Sequence, residues 1–306
     1  MNTSSFYRYL VGGLACFAAL LCFTSVYAAA ENKLSEPEER EALKVDVDDM
    51  LQPWKGDLPG MLDRRTIRVL TTFSKTFFFI NKGTQRGATH DIFMEFERSL
   101  NQSLAKEKKL KHRHLKVRII FVPVARDQLI SALNAGKGDI IAANLTITPA
   151  RQQEMTFTAP IYSHVQELLL SGPGSPKVEN LQQLSGKTVF VRTSSSYYES
   201  LVALNARFAQ QSLPPITLTS APEALEDEDL IEMLSAGLIP LTVVDRHKAL
   251  FWKQVFPSIQ VHHNIILRNE GNIGWAVRNN RQQLLALLNE FINKNRQGSK
   301  LGNTIL

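Results

Sequence analysis

The stretch AANLTITPARQQEMTFTAPIY, Ala142 to Tyr162, decides how the chain is read. It leaves an apolar run through a Thr-x-Thr-Pro turn and arrives at a single arginine, Arg151. The run that feeds it, GDIIAANL from Gly138, is short, aliphatic and opened by a turn residue, which predicts a buried strand. Residues just past such a strand lie where open α/β sheets bind ligands, beyond the carboxyl ends of their strands. A guanidinium there offers a planar fork that grips a carboxylate with two parallel hydrogen bonds. The plainer alternative is a surface residue at a helix end, paired with Glu154.

Outward from this stretch, strand and helix patterns alternate. TIRVLTTF (Thr66 to Phe73) and KVRIIFVPV fit buried strands. GATHDIFMEFERSLNQSL carries Ile92, Phe93, Phe96, Leu100 and Leu104 at helical spacing, and ARDQLISALNAG predicts a helix closed by Gly136. After Gln166 the alternation restarts: GKTVFVR, PITLTSA, PLTVV and GNIGWAVR (Gly271 to Arg278) predict strands, with SSYYESLVALNARFAQQ, EDEDLIEMLSAG, DRHKALFWKQVF and RQQLLALLNEFINKNR as helices. Two consecutive βαβ units imply an α/β protein of two lobes with a cleft between them.

Two further strand ends carry chemistry. Arg192 and Thr193 end one strand, and Ser194 to Ser196 open a helix, whose free N–H groups and positive dipole end make an anion site. A serine N-cap explains the same residues. Asp245 ends PLTVV and precedes a helix, so it suits either a ligand ammonium or a helix cap.

At the amino terminus, Arg8 precedes an apolar run from Leu10 to Phe23 that ends in Val26-Tyr27-Ala28-Ala29-Ala30, the pattern of a secretory signal peptide cleaved after Ala28 or Ala30. Both cysteines, Cys16 and Cys22, lie inside it, which predicts a mature exported chain with no disulfide and suits a bacterial periplasm. The formal charge of +6 is concentrated in KEKKLKHRHLKVR (Lys106 to Arg118), with seven Lys or Arg against one acid. A solvated helix end explains that run, and an anionic surface is its other possible partner. The export signal and the absence of interleaved aromatics argue against nucleic acid. His112 with His114, and His262 with His263, lack the carboxylate or cysteine partners of a zinc site, so neither a metal nor a cofactor is expected.

GDIIAANLTITPARQQEMTFTAPIY resembles the lobe-one signature of the family 3 extracellular solute-binding proteins: an Asp-containing strand, a T-x-T-x-x-R turn and an F-x-x-P-Y segment, here FTAPIY. The resemblance runs from about Ile67 to Arg296. It implies a two-lobed, type II periplasmic binding protein-like α/β fold with a hinge near residues 163–172 and 262–272. It also implies roles. Arg151 binds a ligand carboxylate, assisted by Asn144 and Thr146; Ser195 and Ser196, with Arg192 behind them, close on the same anion; Asp245 pairs with an ammonium. Where the family usually sets an acid after the first strand, this chain has Thr72, Lys75 and Arg126, with Phe77 and Phe78 as apolar wall, and a usual glycine is Asn144. These departures point to a more acidic or peptide-like ligand.

A closer resemblance is to the solute-binding-like module of the membrane-bound lytic murein transglycosylase F family, through segments such as DRRTIRVLTTFSKTFFFINKGTQRGATHDIFMEFE and EDEDLIEMLSAGLIPLTVVD. A catalytic domain follows that module beyond a segment similar to GSKLGNTIL, whereas this sequence ends at Leu306, so no catalytic residue is expected. Glu199-Ser200 resembles the catalytic Glu-Ser motif but falls on a helix of the second lobe. The expected organisation is a signal peptide or anchor at 1–28, an acidic leader at 29–57, lobe 1 at 58–163 plus 268–306, and lobe 2 at 164–267. The expected function is binding of a small polar carboxylate-bearing solute by a periplasmic monomer, for an ABC transporter permease or for sensing. The alternative is a muropeptide-binding regulatory module of, or a truncated, peptidoglycan lytic transglycosylase.

Overall fold

The computed structural model describes residues 52–110 and 114–295. The signal segment, most of the acidic leader, the middle of the basic run and the last residues lie outside the described residues.

A short helix, α1 (Leu58–Asp63), leads into β1 (Thr66–Thr71), every residue of which is buried. After β1 the chain makes a small hairpin, β2 (Phe79–Asn81) and β3 (Thr84–Arg86), and enters α2 (Ala88–Lys106). The 3.6-residue spacing of Ile92, Phe93, Phe96, Leu100 and Leu104 buries one face of α2, as read from the sequence. β4 (Arg118–Pro123) then pairs parallel with β1, Thr66 opposite Arg118 through Thr71 opposite Pro123. A single 3-10 turn (Arg126–Gln128) opens α3 (Leu129–Ala135), which Gly136 closes in the left-handed conformation, φ 80°. Glycine adopts that conformation without the Cβ penalty of other residues. β5 (Ile140–Thr146) pairs on the other side of β1, giving the parallel order β4-β1-β5.

The decisive stretch supplies α4 (Pro149–Glu154), the two-residue β6 (Thr156–Phe157) and the start of β7 (Tyr162–Ser171). A second βαβαβ unit follows: β8 (Thr188–Val191), α5 (Ser196–Gln210), β9 (Thr217–Ser220), α6 (Asp227–Ser235), β10 (Leu241–Asp245) and α7 (Arg246–Val255). Its parallel order β9-β8-β10 repeats the arrangement of the first unit, with the earliest strand in the middle. β11 (Gln260–Val277) runs back antiparallel along both β7 and β5, and α8 (Gln282–Asn295) packs on the first unit.

Among the described residues the main sheet reads β4-β1-β5-β11-β7-β10-β8-β9, so β7 and β11 are the elements that join the halves. The apolar cores are separate. Phe93, Phe96, Phe121, Trp275 and Phe291 anchor the first, while Tyr197, Leu201, Phe208, Ile231 and Val243 belong to the second. The fold is therefore the two-lobed α/β fold that the sequence led us to expect. Among the described residues no helix is long and apolar enough to cross a membrane.

Candidate ligand-binding cleft

The strand ends meet where the lobes face each other, and there they are bridged by the protein's own side chains. Arg151 stands on α4, the helix that Thr148 caps by accepting from the Arg151 N–H at 3.4 Å. Its Nη1 donates to Thr146 O at 2.8 Å, within the first lobe. Its Nη2 donates to Ser194 O at 2.8 Å, in the second lobe. The nearest carboxylate is Glu199, with Oε1 3.8 Å from Nε, so the surface pairing with Glu154 is not what holds this arginine. Burial lowers the Arg151 pKa, and Glu199 opposes that shift.

Asn144 has φ 51°, the left-handed conformation that asparagine tolerates better than most side chains. That explains how it stands in β5 where a glycine was the expected residue. Thr146 Oγ1 accepts from Ser196 Oγ at 3.0 Å, a second hydrogen bond between the lobes. Ser195 is the N-cap of α5, accepting from the Tyr198 N–H at 3.2 Å. The helix-start anion position holds an acid already: Glu223 Oε1 accepts from Ser194 N–H at 3.0 Å and Thr193 Oγ1 at 2.8 Å.

Arg126 takes the most complete carboxylate contact in the cleft. From the first lobe its Nε donates to Glu226 Oε1 at 2.9 Å and its Nη2 to Glu226 Oε2 at 2.6 Å. This is the bidentate fork that makes arginine selective for planar anions. Nη1 is fixed by Ala143 O at 2.9 Å, and Thr72 Oγ1 accepts from Nη2 at 3.3 Å. Burial alone would lower the Arg126 pKa, but the Glu226 carboxylate outweighs it and raises the value. Nearby, Glu228 Oε1 accepts from Ser74 Oγ and from the Lys75 N–H, each at 2.6 Å, and Lys75 Nζ reaches Glu232 at 2.6 Å and Asp229 at 2.9 Å. Phe78 does not line the cleft wall. It is 1% exposed and packs on Phe121, ring centroids 4.9 Å apart, inside the first core.

Behind Glu226, buried charges alternate in an unbroken chain. Arg192 lies 3.8 Å from Glu226 and is hydrogen-bonded to Asp227; Lys248 Nζ lies 2.7 Å from Asp227 Oδ2 and 3.0 Å from Asp245 Oδ2. The sequence is Arg126, Glu226, Arg192, Asp227, Lys248, Asp245: three cations and three anions. Asp245 occupies the N-cap position of α7 but its side chain makes no cap hydrogen bond, and the ion pair with Lys248 takes its place. Burial would raise the Asp227 pKa, yet Lys248 and then Arg192 outweigh it and hold that carboxyl far below the ordinary range. Burial raises the Tyr197 phenol, with Asp227 adding to the effect, so the hydroxyl keeps its proton and donates to Asp227 Oδ2 at 2.9 Å.

Glu223, Glu226, Asp227, Glu228 and Lys248 were not singled out from the sequence. Two signals were present. EDED spends four acids on a helix start that needs one capping residue, and Lys248 stands three positions after Asp245, within reach on a helix.

The family model of bacterial extracellular solute-binding proteins, family 3, matches residues 72–304, which is most of the sequence. This chain belongs to that family. Among its relatives, the family 3 chain is 29% identical over 228 residues to the membrane-bound lytic murein transglycosylase F of Desulfosudis oleivorans, covering 74% of this chain and 45% of that protein. The match thus spans less than half of that relative's length. Among solved structures it is similar to an ancestral arginine-binding protein bound to arginine, at TM-score 0.58 and 22% identity over 78% of this chain and 96% of that one. It is also similar to Tv2483 bound to L-arginine, at TM-score 0.63 and 20% identity over 81% and 93%. At those identities the structural likeness speaks for the fold of a family 3 binding protein, and what those proteins hold is their own.

Proposed function

We propose that this chain is a periplasmic solute-binding protein, monomeric and without catalysis of its own, whose interlobe cleft takes a small polar solute through its carboxylate. The observation that carries the reading is the Arg126–Glu226 fork: a bidentate carboxylate receptor on one lobe, filled by an acid from the other. The ligand carboxylate replaces that of Glu226, with Arg151, Thr146, Ser196 and Thr72 as neighbours. Lobes at 58–163 plus 268–306 and at 164–267 then close by bending β7 and β11, the hinge mode common to two-lobed receptors. Contacts made by both lobes at once favour the closed form.

A thermal-shift and calorimetric screen of carboxylate solutes tests this. Hydrogen bonds to a charged group are each worth about 1.5–3 kcal/mol, so losing both arms of the fork in Arg126→Ala should weaken a bound carboxylate by at least about 100-fold. Glu226→Gln should tighten it, because a neutral amide competes poorly for the fork. A ligand whose affinity ignores both changes would sink the assignment, and Arg151→Ala would then be the next variant to measure.

A second reading is favoured by the relatives, which are named as lytic transglycosylases. Here the module senses muropeptides and acts on a peptidoglycan-cleaving partner rather than on a transporter permease. Stabilisation by purified muropeptides, together with a change in the cleavage rate of that partner, would support it. Release of anhydro-muropeptides by the chain alone would overturn the non-enzyme assignment under either reading.

A further inference from the structure

Resting on the carboxylate reading above, we infer that the solute's nitrogen is blocked: the cleft takes an N-acylated amino acid, or a peptide-like equivalent, rather than a free amino acid, and Lys248 determines this. Two independent observations carry it. The first is charge. Arg126, Arg192 and Lys248 alternate with Glu226, Asp227 and Asp245 in one buried, connected chain, and the three cations balance the three anions. A carboxylate that takes the place of Glu226 on Arg126 keeps this chain balanced, since the displaced glutamate opens the cluster only at its outer end. An accompanying ammonium would enter as a fourth cation. The acids of that chain that could receive it, Asp227 and Asp245, already hold Lys248 at 2.7 and 3.0 Å, and Asp227 also holds Arg192; the neighbouring buried Glu167 is likewise taken, its Oε1 lying 3.2 Å from Arg268 Nε and its Oε2 accepting from Ser200 Oγ. Burying a charge without a partner is costly, so the free amine is disfavoured.

The second observation is an orphan acceptor. Asp245 is buried, its Oδ2 is engaged by Lys248, and its Oδ1 has no hydrogen-bond partner among the described residues. Buried polar atoms are nearly always satisfied, and one left open beside a candidate site points to a donor supplied by something else. A neutral amide N–H fills it without adding charge. An acylated nitrogen beside a carboxylate combines the two requirements: an anion for Arg126 and an uncharged donor for Asp245. Lys248 is held in its position by Tyr197 Oη, 3.3 Å from Nζ, so it is a fixed part of the site. The protein's own ε-ammonium occupies the place that a ligand amine would need.

The test is titration calorimetry on the full chain with matched probes: glutamate, alanine, arginine and leucine, each against its N-acetyl form. In any pair where binding occurs, the acetylated member should bind at least ten-fold more tightly. Lys248→Met, which vacates the ammonium position, should erase or reverse that preference, whereas Lys248→Arg should keep it. The arginine variant also guards against a trivial loss of folding in the methionine one. Free amino acids binding as well as their acetyl forms, with Arg126→Ala still abolishing both, would overturn the blocked-nitrogen inference and leave the carboxylate reading standing. No binding by any probe, or binding indifferent to Arg126→Ala, would remove both.

Discussion

Asp139→Asn should cost about 3–5 kcal/mol of folding stability, the range for removing one partner from a buried ion pair. Asp139 is 0% exposed and receives three arginines. Oδ2 accepts from the Arg68 N–H at 2.9 Å, from Arg68 Nε at 3.3 Å and from Arg64 Nη2. Oδ1 accepts from Arg68 Nη2 at 3.2 Å and Arg278 Nη2 at 3.4 Å. Carbonyls take up other guanidinium protons: Gln52 O at 2.8 Å and Gly136 O at 2.8 Å from Arg68, and Leu133 O at 3.1 Å from Arg278. The asparagine has the same shape, so no cavity opens. What is lost is the one negative charge among three positive ones, in the cradle that ties β1 to the turn before β5 and to the end of β11. Equilibrium urea unfolding followed by circular dichroism would report a lowered midpoint at unchanged slope. As a contrast, Glu290→Gln removes an exposed pair with Lys294, at side-chain exposures of 62 and 69%, and should shift stability by less than about 0.5 kcal/mol. A cost below about 1 kcal/mol for Asp139→Asn would mean that the arginines are adequately held by carbonyls alone.

That cradle also marks where the sequence stopped being readable. Local pattern carried the strands and helices of both lobes, because hydrophobic period and capping chemistry are properties of neighbouring residues. Gly136 closes its helix and Ser195 caps α5 for reasons visible within a few positions. Arg68 offers no such clue: it sits fully buried in TIRVLT, and its partner lies 71 residues away. β11 shows the same limit differently. Only Gly271 to Arg278 reads as a strand, yet the strand runs from Gln260 to Val277. Its register against β7 shifts between His262 and Ile266, and again at Arg268 and Gly271, and each irregularity breaks the alternation by which a strand is recognised. The β2–β3 hairpin was missed because its strands are three residues each and mostly exposed, with no apolar period to detect.

The candidate site was legible in its residue types and illegible in its pairings. Arg151, Arg192, Arg126 and Asp245 do stand at or just past strand ends, since that follows from the order of elements. Which acid each cation meets is set between distant positions: Glu226 lies 100 residues from Arg126, and Asp227 lies 35 from Arg192 and 21 from Lys248. A reading of strand ends one at a time assigns Asp245 either to a cap or to a ligand. The structure gives it to Lys248, one helical turn further on.

Asp227→Asn should be the most damaging change in that cluster, again about 3–5 kcal/mol, because Asp227 stands directly between two of its buried cations, hydrogen-bonded to both Arg192 and Lys248. Removing its charge leaves Arg192 with Glu226 at 3.8 Å and Lys248 with Asp245 at 3.0 Å, so part of the pairing survives. The carboxyl also loses the Tyr197 hydroxyl as a charged acceptor's partner. Acidity distinguishes this electrostatic account from a packing defect. Burial would raise the Asp227 pKa, but Lys248 and Arg192 dominate and depress it. A depressed carboxyl contributes stability that is fully present above its unfolded value, about 3.9, and is lost as pH falls toward the folded value. The gap between wild type and Asp227→Asn should therefore stay constant from pH 8 to about 5 and narrow progressively below about 4. A packing defect would keep the gap constant through that acid range, so a gap at pH 3 equal to that at pH 5, where the electrostatic account removes about 1 kcal/mol, would count against the alternating chain as the source of stability.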